Sequence, residues 1–284
     1  MNKLLNAKLL LLSLCLIISD EARAQEGPVV WQVTRFEITA NLPASAAAER
    51  ALAAKAVLSV RNAGQGVGRQ LTARINPAAE VSEITVGEQP ARHLTRLDDR
   101  TKLKMLTVTL PAAVPPGGTL TLAFEYKLPV TENTGLASLS PEGAQFLPLA
   151  SWYPTPNSPY TLRGADTAPI MLKVNAPSGE TVVSSGQAGA ASGGFEQKLY
   201  AQPFFVTGKW EMVEGADDSA RGISAWLLAG ATAEEKKRAE DLVALAGAAR
   251  QFFATLLGPA PDTPVRLVAV RRGAGFDGGG TVLL

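Results

Sequence analysis

Thr119-Leu120-Thr121-Leu122-Ala123-Phe124-Glu125-Tyr126-Lys127-Leu128 alternates without a break. Leu120, Leu122, Phe124, Tyr126 and Leu128 fall on one side of the run. Thr119, Thr121, Ala123, Glu125 and Lys127 fall on the other. Successive side chains of a strand point to opposite faces, so this period predicts one buried face and one wet face. Pro115-Pro116-Gly117-Gly118 just before it is turn chemistry, and residues 105–110 ahead of that turn alternate again. The pair reads as two antiparallel strands joined by a loop. Shorter runs of the same kind lie at 29–39, 56–61, 170–175, 181–184, 204–206 and 223–228, separated by Gly, Pro, Asn and Ser. Many short strands at this spacing predict an all-β sandwich.

The pattern then changes period. Thr232-Ala233-Glu234-Glu235 has the form of a capping box, in which the Thr232 hydroxyl accepts from the Glu235 amide and Glu235 reaches back. Leu242, Leu245, Ala246, Ala249, Phe252, Phe253 and Leu256 then recur at three and four residues, which predicts one apolar helical face. Gly258 and Pro259 end the helix. A strand is expected at 265–270, followed by Arg271-Arg272, a glycine-rich loop at 273–280, and the opening of another strand at 281–284.

Residues 1–24 read as a secretory leader. Lys3 and Lys8 are basic, residues 9–18 are apolar, and Ala22-Arg23-Ala24 is an A-x-A site, so cleavage is expected after Ala24. The apolar run is half the roughly 20 residues that span a bilayer, and no later run approaches that length, so no stable membrane span is expected. A secreted or periplasmic protein is therefore predicted. Cys15 is the only cysteine of the 284 residues and leaves with the leader, so the mature chain is expected to lack thiols and disulfides. With 27 basic and 26 acidic residues, the charge balance gives no case for nucleic acid. The expected organisation is leader 1–24, β-sandwich 25–230, and an incomplete α/β segment 231–284.

His93 is the only histidine, among Arg92, Arg96, Asp98, Asp99 and Arg100, and is expected at a strand edge or hairpin. A Ser-His-Asp arrangement would have to use it, and no G-x-S-x-G motif is present. H-E-x-x-H zinc chemistry needs two histidines one helical turn apart, so no catalytic and no metal-ligating residue is assigned. The run from Gly273 to Gly278 matches G-x-G-x-x-G and follows a strand, yet the dinucleotide fingerprint must open a helix. Here Gly279, Gly280 and apolar residues follow, which predicts a turn between strands, or a backbone-exposing loop at the rim of a cleft where a peptide can approach. Asp98-Asp99 and Asp217-Asp218 read as surface turns, and Glu234-Glu235 as the helix start. Trp152-Tyr153-Pro154-Thr155-Pro156 reads as a rigid packing plug between layers.

Read with its neighbours, that plug carries a family resemblance. Tyr126 through Gly135-Leu136, Trp152-Tyr153-Pro154, Ser184-Ser185-Gly186 and the segment from Pro203 to Trp210 resemble, in order, segments of the amino-terminal saddle domain of M1-family (gluzincin) metallopeptidases. The helix from Thr232 and the strand from Val265 resemble the opening of the thermolysin-like catalytic domain. The resemblance implies a mainly β fold: a large, saddle-like sandwich, then a short α/β segment that begins a catalytic-like domain. It also exposes departures. Ser185 stands where the family has Asn, and Gly278-Gly279-Gly280-Thr281-Val282 occupies the region of the family's G-x-M-E-N loop without Met, Glu or Asn. By position alone, Gly278, Gly279 and Gly280 correspond to the peptide-binding loop. The family's zinc motif lies beyond Leu284, so no cofactor is assigned to this chain; zinc and a peptide substrate enter only with a longer form that carries the motif.

Two readings follow from the sequence. The chain is the non-catalytic amino-terminal portion of an exported M1-like peptidase, as a fragment or a natural short form. Alternatively it is an extracytoplasmic β-sandwich that binds or interacts without peptidase activity. The first predicts an exposed apolar patch where further structure would pack.

Overall fold

Leu122, Phe124, Tyr126 and Leu128 are buried, and the residues between them are half-buried or exposed, so the decisive alternation is a strand with one core face. The structure is a computed structural model that describes residues 27–44, 50–156, 168–189, 193–198, 202–215, 217–260, 263–270 and 275–284. The leader, Arg271-Arg272 and the first two residues of the glycine-rich loop, 273–274, lie outside the described residues.

Eight strands form the largest sheet. They are β1 (Trp31–Asn41), β2 (Ala51–Asn62), β4 (Glu80–Val86), β5 (Gln89–Pro90), β8 (Thr119–Pro129), β11 (Ile170–Asn175), β13 (Gln187–Ala188) and β14 (Gly194–Gln197). Their spatial order is β13-β14-β11-β1-β2-β8-β4-β5, antiparallel except for β1 beside β11. A three-stranded sheet takes β3 (Gly68–Ile75), β7 (Lys104–Val114) and β6 (His93–Leu97), in that order. A four-stranded sheet takes β12 (Thr181–Ser184), β15 (Phe205–Gly208), β10 (Gly143–Phe146) and β9 (Ala137–Ser140). One continuous core joins the large sheet to both small ones: Phe36, Leu58 and Phe124 from the first, Leu71 and Leu106 from the second, Phe146 and Phe205 from the third. This is the sandwich that the alternating runs predict.

The Trp152 plug sits in that core as expected. Trp152 is fully buried, and its ring packs edge-on against Tyr153 and Phe205 at centroid distances of 5.2 and 5.3 Å. Its Nε1 donates to the Pro203 carbonyl at 3.1 Å, and the Tyr126 hydroxyl donates to the Trp152 carbonyl at 2.8 Å. Both aromatics thus satisfy their polar ends inside the core. Burial pushes the Tyr126 phenol well above its ordinary pKa.

A second sheet system begins earlier than residue 231. β16 (Trp210–Glu214) and β17 (Ile223–Leu228) join β18 (Val265–Val268), β20 (Thr281–Leu283) and β19 (Phe276–Gly278) in a five-stranded sheet ordered β16-β17-β18-β20-β19. Strand period alone does not say which sheet a strand joins, and β16 and β17 alternate like any strand of the sandwich. One face of this sheet packs on the four-stranded sheet through Val268 and Leu283 against Leu147, Val183, Phe204 and Val206. β15 is buried along its whole length because it has a core on each side: Phe205 belongs to the first and Val206 to the second.

The other face carries helix α1 (Ala233–Leu257), which connects the parallel strands β17 and β18. Its start is the predicted capping box. The Glu235 amide donates to Thr232 Oγ1 at 3.2 Å, and the Thr232 amide donates to Glu235 Oε2 at 2.7 Å. The buried stripe of α1 is Ala239, Val243 and Gly247, not the bulky series read from the sequence. Small residues win because the approach is close: a Cβ on Gly247 would lie 3.1 Å from the backbone of Ala220. The helix therefore turns Leu245, Phe252, Phe253, Leu256 and Leu257 outward, 55–82% exposed. Beside it, over β17 and β18, an apolar groove of about 440 Å³ is lined by Leu227, Leu242, Leu267, Ala269 and Leu284 among others. Among the described residues, no helix is long and apolar enough to cross a membrane.

Replacing Thr232 by alanine is expected to cost about 1 kcal/mol, as for other caps of this type. The Thr232 amide, then its hydroxyl, hold the Glu235 carboxyl below the usual carboxylate range. A depressed folded pKa gives stability that is present above the unfolded value and lost as pH falls through the folded one. The difference between wild type and Thr232→Ala, measured by urea unfolding, should therefore shrink below about pH 4, where unfolded Glu begins to protonate. A pH-independent difference would contradict the bond from the Thr232 hydroxyl to the Glu235 carboxylate.

Candidate functional site

The glycines singled out by position form a hairpin. Gly278 ends β19, Gly279 and Gly280 make the turn, and Gly278 pairs with Thr281 at the head of β20. The turn residues have φ of 53° and 84°. Two successive positive φ values make the tight turn that suits the twist of a hairpin, and glycine adopts them without steric cost. Side chains are also excluded by space. A Cβ on Gly279 would lie 2.8 Å from Ser185 Cβ and from Gln197 Oε1, and one on Gly280 would lie 2.5 Å from the Pro264 carbonyl oxygen. Gly278 faces elsewhere, toward the rings of Phe276 and Phe204.

The hairpin is fastened to the sandwich at the Ser184-Ser185-Gly186 turn. The Gly186 amide donates to the Gly279 carbonyl at 3.1 Å, and the Thr281 hydroxyl donates to the Ser184 carbonyl at 2.8 Å. Arg266, on the neighbouring β18, donates through Nη1 to the carbonyls of Gly186 at 2.7 Å and Ser184 at 3.3 Å. Its guanidinium lies 6.0 Å from the centre of the Phe195 ring. Burial lowers the pKa of Arg266. Arg266 and Thr281 are both buried, so these bonds form out of water, where an unmade partner is costly.

Gly279 and Gly280 line a cavity of about 750 Å³ between the hairpin, the β13–β14 edge of the large sheet and the carboxyl end of α1. Gly186, Gln187, Glu196, Gln197, Lys198, Arg250, Thr263 and Val265 are also in its wall. Gly278 is not. The structure thus brings two of the three position-matched glycines to a concave surface and turns the third into the second core. Sequence reading missed Arg266 and the partners of the hairpin. The available signal was Arg266 itself, a charge inside Val265-Arg266-Leu267-Val268.

The remaining candidates behave as surface features. His93 opens β6, an edge strand of the three-stranded sheet, and is half-buried. Asp98 sits in the following turn, where it accepts from the Thr101 hydroxyl at 2.8 Å and the Arg100 amide at 3.1 Å. Those bonds, Thr101 first, lower its pKa. Asp217 and Asp218 are exposed around a short 3-10 turn. Among the described residues, no three His, Cys, Asp or Glu side chains gather as a metal site would require.

No protein-family profile matches the chain, and no curated protein matches it. Solved structures do. The M1 zinc metallopeptidase from Deinococcus radiodurans superposes with a TM-score of 0.62 at 18% identity, over 90% of this chain. A point mutant of that protein bound to a Tyr-Ser-Ala substrate matches equally, as does a two-domain M1 zinc metallopeptidase mutant bound to L-tryptophan. The chain spans 61% of the length of each. The fold is that of the amino-terminal region of M1 metallopeptidases.

Proposed function

We propose that the chain is the non-catalytic amino-terminal portion of an exported, M1-like zinc metallopeptidase. The observation that carries the reading is the extent of the fold match: 90% of this chain against 61% of the neighbour. Sandwich, β17-α1-β18 unit and glycine hairpin occur in one continuous run. The outward apolar residues of α1 and the groove beside it add support, because a patch of this kind is suited to cover by another packed layer. Zinc does not fit the donors this chain supplies. Its one histidine opens an edge strand of a different sheet from the hairpin, and the family's motif needs two on one helix. In this reading the sandwich and hairpin shape one wall of a peptide cleft, and Gly279 and Gly280 present backbone to it.

The test is hydrolysis of aminoacyl reporter substrates by the mature chain beginning at Gln25, purified from the exported fraction of its host. No turnover above buffer is expected, with or without added zinc. Chelator-sensitive turnover would overturn the non-catalytic role, and a protein retained uncleaved inside the cell would overturn export. An inactive, monomeric chain with its apolar helix face covered by its own residues would favour a free-standing β-sandwich interaction module instead.

A further inference from the structure

β6 (His93–Leu97) is an open edge of the three-stranded sheet. At its two ends the Thr109 amide donates to the Arg92 carbonyl and the Asp98 amide donates to the Leu103 carbonyl, both at 2.9 Å. Residues that exchange such bonds alternate along an antiparallel pair. Leu94 and Arg96 therefore bond β7, and the amides and carbonyls of His93, Thr95 and Leu97 point away from it. Among the described residues no strand takes them up. Other edges are blunted: β5 and β13 have two residues each, and on β3 Thr155 bridges Arg74.

The side chains along this edge carry a pattern of their own. His93 and Thr95 lie opposite Val108 and Leu106 of the core, so Arg92, Leu94 and Arg96 share the face turned away from it. All three are exposed, Leu94 by 76%. Neither arginine makes an ion pair or a side-chain hydrogen bond among the described residues. Of the nearest acids, Asp98 is held by Thr101, Arg100 and Arg74, and Asp99 lies beyond the end of the strand. Base, apolar, base at every second residue matches a strand with acid, apolar, acid at the same period. Partner residues opposite 92, 94 and 96 would form the closer, non-hydrogen-bonded pairs, about 4.5 Å between Cα atoms, where opposite charges attract across strands. A second copy of β6 does not supply them: in no antiparallel register of two copies do Arg92 and Arg96 both face an acid.

We propose that β6 receives an extended acidic peptide as an added antiparallel strand. The backbone of His93, Thr95 and Leu97 holds it, and Arg92, Leu94 and Arg96 select the pattern acid-x-apolar-x-acid. This edge belongs to a different sheet from the glycine hairpin, and its use does not depend on the peptidase reading.

The probe is acetyl-Thr-Glu-Thr-Leu-Thr-Glu-Thr-amide, titrated into the full mature chain labelled with ¹⁵N. Saturable amide shifts centred on residues 93–97 are expected. Hydrogen exchange should slow at His93, Thr95 and Leu97 and change little at Leu94 and Arg96, which already bond β7. Acetyl-Thr-Thr-Glu-Leu-Glu-Thr-Thr-amide has the same composition but puts acid and leucine on opposite faces, and should bind about tenfold more weakly or worse. Arg92→Glu combined with Arg96→Glu should weaken the first peptide by about tenfold or more. Thr95→Pro removes one outward amide, a change that a sheet edge tolerates, and should weaken it as well. Absence of saturable binding, equal binding of the two peptides, or undiminished binding by a folded Thr95→Pro would overturn strand addition. Slowing of the same three amides with rising protein concentration and no peptide would identify a second copy as the occupant and overturn the acidic partner.

Discussion

Alanine at Trp152 is expected to lower the unfolding free energy by about 3–5 kcal/mol, the range for truncating a large buried aromatic. The side chain is fully buried, and its neighbours come from different layers. Phe146 and Phe205 belong to the four-stranded sheet, while Tyr153 beside it meets Phe36 of β1 edge-on at 5.8 Å. Truncation opens a cavity at the seam of two sheets and also strips the Pro203 carbonyl of its buried donor. Urea unfolding measures the loss. Trp152→Phe keeps most of the packing and removes the N–H, so it should cost less, about 1–3 kcal/mol for the orphaned acceptor. A loss below about 1 kcal/mol for Trp152→Ala, smaller than a typical destabilising substitution, would show that the plug does not hold the layers together.

Gly186→Ala is the second large effect. Gly186 has φ 83°, and a Cβ there would lie 2.2 Å from the Glu196 carbonyl oxygen, which is backbone and has little freedom to retreat. The left-handed conformation costs about 1–2 kcal/mol for a residue with a Cβ. Overpacking adds about 1–3 kcal/mol. Gly230→Ala is the control: its φ is 87°, and nothing lies within 4 Å of the new Cβ, so it carries the conformational cost alone. The difference between the two variants isolates the clash. Hydrogen exchange should also show where the damage falls. Gly186 holds Gly279 through its amide and Arg266 through its carbonyl, so residues 279–284 should exchange faster while β1, β2 and β8 keep their protection. Equal effects in the two variants would mean that the turn has room the structure denies it.

Much of this architecture could be read from the sequence because one face of each strand meets a core. Strands β11, β12 and β17 fall on the stretches expected, β2, β7 and β8 extend theirs, and β1 lies two residues later than the run at 29–39. Others were hidden for physical reasons. β4 has a register shift between Val81 and Glu83, which breaks the two-residue period. β6 is almost wholly exposed, so it shows no clean alternation, and β15, wholly buried, was legible only as the short run at 204–206. The helix was legible in length and cap but not in orientation. Its periodicity marks Phe252 and Phe253 as apolar, yet contact with Ala220 selects the small stripe of Ala239, Val243 and Gly247. The site divides the same way. A glycine turn announces itself by composition. The groups that fasten it come from Arg266 and from Ser184 and Gly186, some 80 residues apart in sequence, and only the folded chain brings them together.

β15 changes what a domain boundary means in this molecule. Hydrogen-bonding topology places a border after Gly208, where the four-stranded sheet ends and the five-stranded one begins. Burial places none there, because Phe205 and Val206 on adjacent positions of one strand serve two different interiors. The strand is a shared wall, and a wall with rooms on both sides has no outside. Severing the chain at that border would leave Val183, Phe204 and Val206 facing water on one piece and Val268 and Leu283 on the other. Evolution and engineering alike meet the same constraint: the two layers can diverge in their outer surfaces, but at this wall each must change in step with the other.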